Sequence, residues 1–295
     1  MAKVQGSFQK VLEVKGPLQL EVETGSGDIE LRRGGEGQLR VSGRFQVRAW
    51  SGEEARELAK RIAEDPPIEV EGDTVRIGDL SRYDLSHGRW PFGSSVMIDF
   101  KIEAPAETKA RLRSGSGDQE VCGLRGPIEI EAGSGDVEVA EVEADVAVKT
   151  GSGDIEVAHV RGGVEAAAGS GDITLEGITG PVRVKVGSGD VHLKAVEGEL
   201  AVEASSGDIL VDSALGERAR WELATSSGDI RLRLPRDSQF KLHIRSYSGE
   251  FSSDFEFAAS KMTMTGREIE GRVREEPAAE LLIRTASGDI ELRAM

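Results

Sequence analysis

The side chains with the clearest capacity for chemistry are aspartates that recur at a fixed spacing. Ser-Gly-Asp triplets end at Asp118, Asp136, Asp154, Asp172, Asp190 and Asp208, each step being 18 residues. The same triplet ends at Asp28, Asp229 and Asp289. If a triplet falls at the same place in every turn of a stacked chain, its carboxylates form a column about 4.8 Å apart. Neighbouring charges in such a column repel by about 1 kcal/mol in water, and by more where water is excluded. A ladder of divalent cations would offset that repulsion, which makes Asp118, Asp136, Asp154, Asp172, Asp190 and Asp208 the candidate metal ligands. The nearest known pattern is the calcium β-roll nonapeptide Gly-Gly-x-Gly-x-Asp. Here Asp follows Gly directly, and only one such turn occurs per 18 residues. The other reading is structural: each carboxylate accepts backbone N–H bonds in its own tight glycine turn, worth about 1.5–3 kcal/mol for a charged acceptor. The pattern favours the structural role.

A second candidate is the aromatic stretch 83–92, where Tyr83, His87 and Trp90 stand with Asp84 and Arg89. Such a loop could bind a sugar by stacking, as a carbohydrate-binding or carbohydrate-active protein would. The expectation preferred here is that it covers the N-terminal end of a β array, because open strand edges need covering. His159, His192 and His243 fall in strand-like segments with no repeated ligand beside them, so exposed sheet positions are expected. Cys122 is the only cysteine and rules out an intrachain disulfide. Ser134, Ser152, Ser170, Ser188 and Ser206 have no local histidine and are not nucleophile candidates. The glycines precede strands rather than helices, so no phosphate-binding loop is present. Glu138 and Glu156 belong to a uniform column, whereas glycosidase chemistry needs a unique pair in a cleft. No enzyme activity and no cofactor are expected.

The aspartates must be positioned by two short strands per 18-residue unit. Counting from each Asp, position two holds Gln119, Val137, Ile155, Ile173, Val191 and Ile209. Position four holds Val121, Val139, Val157, Leu175, Leu193 and Val211, and position seven Leu124, Val142, Val160, Ile178, Val196 and Ala214. Further apolar alternation runs from Ile128/Ile130 to Leu200/Val202, with small or β-branched residues at position fifteen. Two period-two strands separated by glycine turns are the signature of a β-solenoid, one coil per unit. Six buried aliphatics contribute about 10 kcal/mol per coil, whereas ordering its backbone costs about 18–36 kcal/mol. A coil therefore requires neighbours. Beyond Asp208 the steps lengthen to 21 at Asp229, 21 at Glu250 and 39 at Asp289. A degenerate coil is expected in the last gap, with Thr265-Gly266-Arg267 in place of the triplet.

The predicted fold is all-β: a β-solenoid over 111–295, with regular coils at 118–225 and looser ones at 226–295. A β-rich capping region occupies 1–110. Within it Phe8–Val14, Leu18–Val22, Ile29–Leu31 and Leu39–Val47 alternate as strands. Then Ser51 precedes Glu53 and Glu54, and Ala55, Leu58, Ala59 and Ile62 follow at helical spacing before Pro66-Pro67. That spacing predicts one helix over 52–64. Aromatic residues are absent between Lys101 and Arg220, which suits a narrow interior.

The formal charge of −16 disfavours nucleic acid and anionic lipid surfaces as partners, since both require clustered cations. No apolar run is long enough for a signal peptide or a membrane span, so membrane insertion is not expected. As written, the chain is expected in the cytoplasm, and a leader removed from it would place it outside.

The Gly-Ser-Gly-Asp-Ile/Val-x-Val units follow an Ala-Pro-x-x-Thr-Lys-Ala-x-Leu-x-Ser-Gly-Ser-Gly-Asp lead-in at Ala104–Asp118. Together they resemble the bacterial DUF4097 proteins, β-strand repeat proteins often labelled adhesins. The resemblance implies a repeat fold over most of the chain and supplies no catalytic residue. The expected function is a non-enzymatic scaffold or adhesin-like interaction protein with a flat acidic surface and a protein or cell-surface partner. The alternatives are sugar binding at 83–92 and a β-roll-like cation binder. Self-association end to end or along strand edges is expected, because the chain stops at Met295 soon after a standard turn.

Overall fold

The computed structural model describes residues 1–83, 95–257, 259–263, 267–274 and 277–295. These form two compact units, Met1–Ala144 and Asp145–Met295.

The first unit contains β1 (Ala2–Glu13), β2 (Gln19–Ser26), β3 (Ile29–Arg33), β4 (Gln38–Ala49), α1 (Gly52–Glu64), β5 (Ile68–Glu71), β6 (Thr74–Ile77), β7 (Ser95–Ala104), β8 (Lys109–Ser116), β9 (Gln119–Cys122), β10 (Ile128–Ser134) and β11 (Val137–Val142). One sheet runs β1–β4–β7–β3–β9–β11. The other runs β5–β6–β2–β8–β10. The coil made by β2 and β3 lies directly beside the one made by β8 and β9, with Ser26 opposite Ser116. The chain between them leaves the stack for β4 and the helix and then returns as β6 and β7, which pair parallel with β2 and β3, while β4 pairs antiparallel with β7. α1 matches the range predicted from its spacing. Ser51 and Glu54 form a reciprocal capping box at its start. Ala55, Leu58, Ala59 and Ile62 are buried on one face, which packs against β1 and β4. Phe8 stacks with Phe45 at 6.4 Å and meets Phe100 edge-on.

The second unit contains β12 (Val146–Ser152), β13 (Ile155–Val160), β14 (Val164–Ser170), β15 (Ile173–Ile178), β16 (Val182–Ser188), β17 (Val191–Val196), β18 (Leu200–Ser206), β19 (Ile209–Asp212), β20 (Arg220–Ser227), β21 (Ile230–Leu234), β22 (Phe240–Ser248), β23 (Phe251–Ser253), β24 (Ala259–Thr263), β25 (Arg267–Val273), β26 (Glu280–Ser287) and β27 (Ile290–Ala294). Apart from β25, odd and even strands alternate between two sheets whose coils pair in parallel, and the regular coils align at the 18-residue step. Val157, Ile173, Leu175, Val184 and Val202 are buried between the sheets, the solenoid core expected from their spacing. Extra volume in the longer coils is filled by Trp221, whose Nε1 donates to the Gly198 carbonyl at 3.0 Å, and by Phe240 against Phe255 at 5.4 Å.

The last coil departs from the expected order. β26 lies between β20 and β22, and β27 between β21 and β23. The segment that ends the chain is therefore interior to its sheets, which corrects the expectation of an uncapped final coil at Met295. The gap before it is not a degenerate coil either. β25 pairs antiparallel with β22 and with β24, and a hairpin thus covers the edge that β22 would otherwise expose. Thr265 and Gly266 lie outside the described residues.

One glycine in each triplet is required twice over. At Gly171 the backbone has φ of +120°, and a Cβ would sit 2.2 Å from the Gly153 carbonyl oxygen of the preceding coil. Only hydrogen fits there, and this sets how closely coils stack.

Candidate functional site

The triplet aspartates form a hydrogen-bonded ladder. In the first unit Asp99 Oδ1 accepts from the Asp28 N–H at 3.3 Å, Asp28 Oδ1 from Asp118 at 3.0 Å, and Asp118 Oδ1 from Asp136 at 2.9 Å. In the second, Asp154 accepts from Asp172, Asp172 from Asp190, Asp190 from Asp208 and Asp208 from Asp229, each at 2.8 Å. Asp229 then accepts from Asp289 at 2.9 Å, and Asp289 from Glu250 at 2.7 Å. The donor is thus the next coil's aspartate N–H, not one in the residue's own turn as expected from sequence. The geometry follows from the stacking: adjacent coils bring a carboxylate beside the amide of its repeat mate. Asp99 starts the first ladder without belonging to a triplet, and no sequence signal marked it.

Each ladder bond occupies one carboxylate oxygen with a charge-assisted acceptor role. Near the longer coils the column also gains a cation. Arg231 reaches Asp229 Oδ2 at 2.8 Å and Asp208 Oδ2 at 3.5 Å. Among the described residues no three His, Cys, Asp or Glu side chains converge as metal ligands. The outward faces repeat this coil-to-coil bonding with Arg111–Glu129 at 2.7 Å, Arg113–Glu131 at 3.0 Å and Lys194–Glu176 at 2.7 Å. The Lys194 ammonium, by its hydrogen bond and charge, holds the Glu176 carboxyl below the usual glutamate range.

Of the aromatic candidates, Tyr83 is 2% exposed. Its hydroxyl donates to the Asp65 carbonyl, and the Arg61 guanidinium stands 5.7 Å from its ring centre. It therefore faces the end of α1. His87 and Trp90, with the rest of 84–92, lie outside the described residues. His159, His192 and His243 are exposed, and His243 lies 3.7 Å from Glu270. Cys122 is partly buried, and that burial pushes its thiol up.

A surface feature not anticipated from sequence is an open groove of about 850 Å³ in the second unit. It crosses β12, β14, β16, β18, β20, β26 and β22 rather than running along them. Register places Lys149, Ala167, Lys185, Glu203, Ala224, Arg284 and Arg245 in one row across these strands. Two positions further along each strand the residues are small, including Gly169, Gly187, Ser205, Ser226 and Ala286. Tyr247 breaks that row, and is 86% exposed. Lys185 pairs with Glu203 at 3.2 Å and Arg245 with Glu268 at 3.1 Å. Lys149 and Arg284 have no ion pair among the described residues. The row carries four cations and one anion on a chain of net charge −16.

The family profile described as Toastrack DUF4097 matches residues 126–293, more than half of the chain. No curated protein sequence matches. Among solved structures, a protein from Parabacteroides distasonis named "putative lipid binding protein" is 15% identical. That match covers 97% of this chain and 96% of the other, with a TM-score of 0.51. A second from the same organism, named "putative adhesin", is 14% identical, with 97% of each chain covered and a TM-score of 0.46. At these identities the first likeness concerns the fold alone. No described helix is long and apolar enough to cross a membrane.

Proposed function

The chain belongs to the Toastrack DUF4097 family, and we propose that within it this protein is a non-enzymatic β-solenoid scaffold holding an interaction surface for a protein or cell-surface partner. The observation that carries this reading is the destination of the repeated polar groups. Ladder carboxylates accept backbone N–H bonds from the next coil, and outward charges pair with the equivalent position of the next coil. The repeated chemistry is thus absorbed in joining coils. What differs from coil to coil is the outer surface, and there the basic groove is the most distinctive feature. The expected uniformly acidic face gives way at that groove to a row of cations.

The test is to incubate purified protein with an array of immobilised cell-surface polymers and proteins while monitoring release of fragments. Retention without turnover supports the scaffold reading. Turnover that is abolished by one substitution, with the melting temperature unchanged, overturns it.

A further inference from the structure

We propose that the groove of the second unit binds a linear polyanionic glycan, laid across the strands, with its acid groups on the cation row and a sugar face on Tyr247. Two independent observations converge on it. The first is the neighbouring pair Arg284 and Arg245, opposite one another on β26 and β22. Like charges directly opposite on adjacent strands destabilise a sheet; Glu268 offsets Arg245 at 3.1 Å, whereas Arg284 has no ion pair among the described residues. An anion seated between the two guanidinium groups removes the repulsion and gains charge-assisted hydrogen bonds.

The second is Tyr247. Its ring projects into solvent from a row otherwise occupied by glycine, serine and alanine. Nothing in the packing requires an aromatic there, whereas stacking on a pyranose would use it.

The chemical class follows from direction and spacing. The strands are hydrogen-bonded on both sides beneath most of the groove, so a peptide backbone crossing them finds no free ladder to join. Recognition must come from side chains spaced by the strand separation of about 4.8 Å, close to the rise of one sugar in a linear chain. Lys149 and Lys185 are two strands apart, about 10 Å, so they would meet the acid groups of every second sugar in a polyuronate chain. A nucleic acid duplex needs cations on a broad face, and here they form one row. Glu203 does not close the site. Its pair with Lys185 is 70% and 67% exposed, and such pairs exchange readily for another anion.

The inference rests on the scaffold reading for its lack of turnover, and the two fail separately. The probe is a defined alginate oligosaccharide, measured by calorimetry against a neutral cello-oligosaccharide, polyglutamate and oligothymidylate. The wild-type chain is expected to bind alginate, with affinity falling as salt rises, and to ignore the neutral chain. Tyr247→Ala combined with Arg284→Gln should weaken binding by about tenfold or more at unchanged melting temperature, and Arg284→Lys should restore part of it. Absence of alginate binding overturns the proposal, as does binding insensitive to these exposed substitutions. Equal affinity for polyglutamate or oligothymidylate also overturns it, because the groove would then read charge alone. Cleavage of the alginate would instead overturn the non-enzymatic reading.

Discussion

Replacing Gln119 with isoleucine should stabilise the first unit. Gln119 is 1% exposed and sits in register between Ile29 of β3 and Val137 of β11, in a column otherwise apolar. Its Nε2 donates to Ser114 Oγ at 2.9 Å and to the Glu131 carbonyl at 3.3 Å. Its Oε1 is buried without a partner. Removing the amide forfeits two neutral hydrogen bonds, about 1–3 kcal/mol together. It also removes the stranded acceptor, worth about 1–3 kcal/mol, and buries an isoleucine, worth about 1.5–3 kcal/mol. Ser114 Oγ keeps the Gly117 carbonyl at 3.4 Å. The balance is a gain of about 1–3 kcal/mol, read as a higher urea midpoint and slower hydrogen exchange in β9. Gln119→Glu is the control, and should lose several kcal/mol by burying an unpaired charge. A loss above about 1 kcal/mol in Gln119→Ile would refute the reasoning, since the Nε2 bonds would then outweigh the orphaned oxygen.

Gly171→Ala should cost more than about 3 kcal/mol, combining backbone strain with a clash against a fixed carbonyl; an unchanged urea midpoint would refute the coil spacing. Ser51→Ala removes the N-cap acceptor of α1 and should cost about 1 kcal/mol, visible as faster exchange confined to the first turn. Glu176 has its folded pKa depressed by Lys194, so its contribution is present above the unfolded value near 4.5 and is lost as pH falls through the lower folded value. Lys194→Met should therefore flatten the acid limb of a stability profile below that pH, and a profile identical to wild type would show that solvent screens the pair completely.

Much of the coil structure is legible in the sequence because each coil is local. Position two, position four and the triplet glycine lie within one 18-residue unit, and their inward direction follows from strand alternation. The helix was legible for the same reason, with cap, apolar spacing and terminating prolines contiguous. The order of the last coils was not. Periodicity reports that Asp289 opens a strand, but not that its coil enters between those of Asp229 and Glu250. That choice depends on which edge the hairpin of β24 and β25 covers, a long-range packing decision. The groove was hidden by the same rearrangement. Lys149 and Lys185 come from regular coils, but Arg284, Arg245 and Tyr247 come from coils whose steps had lengthened, so their shared row appears only when register is known. Aligning the Ser-Gly-Asp triplets together with Ser248-Gly249-Glu250, and reading the residue before each Ser, would have shown Tyr247 as the odd member of a small-residue column. The Asp column itself was visible, whereas the identity of its donors was not, because a donor 18 or more residues away is fixed by stacking.

The role of the Asp ladder is tested most directly by calorimetric melting of wild type, Asp172→Asn and Asp172→Ala, each in calcium and in chelator. Asparagine keeps an Oδ1 acceptor for the Asp190 N–H, so Asp172→Asn should melt close to or above wild type, while Asp172→Ala should lose about 1.5–3 kcal/mol. None of the three should respond to calcium or chelator. A melting temperature that rises with calcium in wild type, and does not in Asp172→Asn, would contradict a ladder whose carboxylates serve to bond one coil to the next.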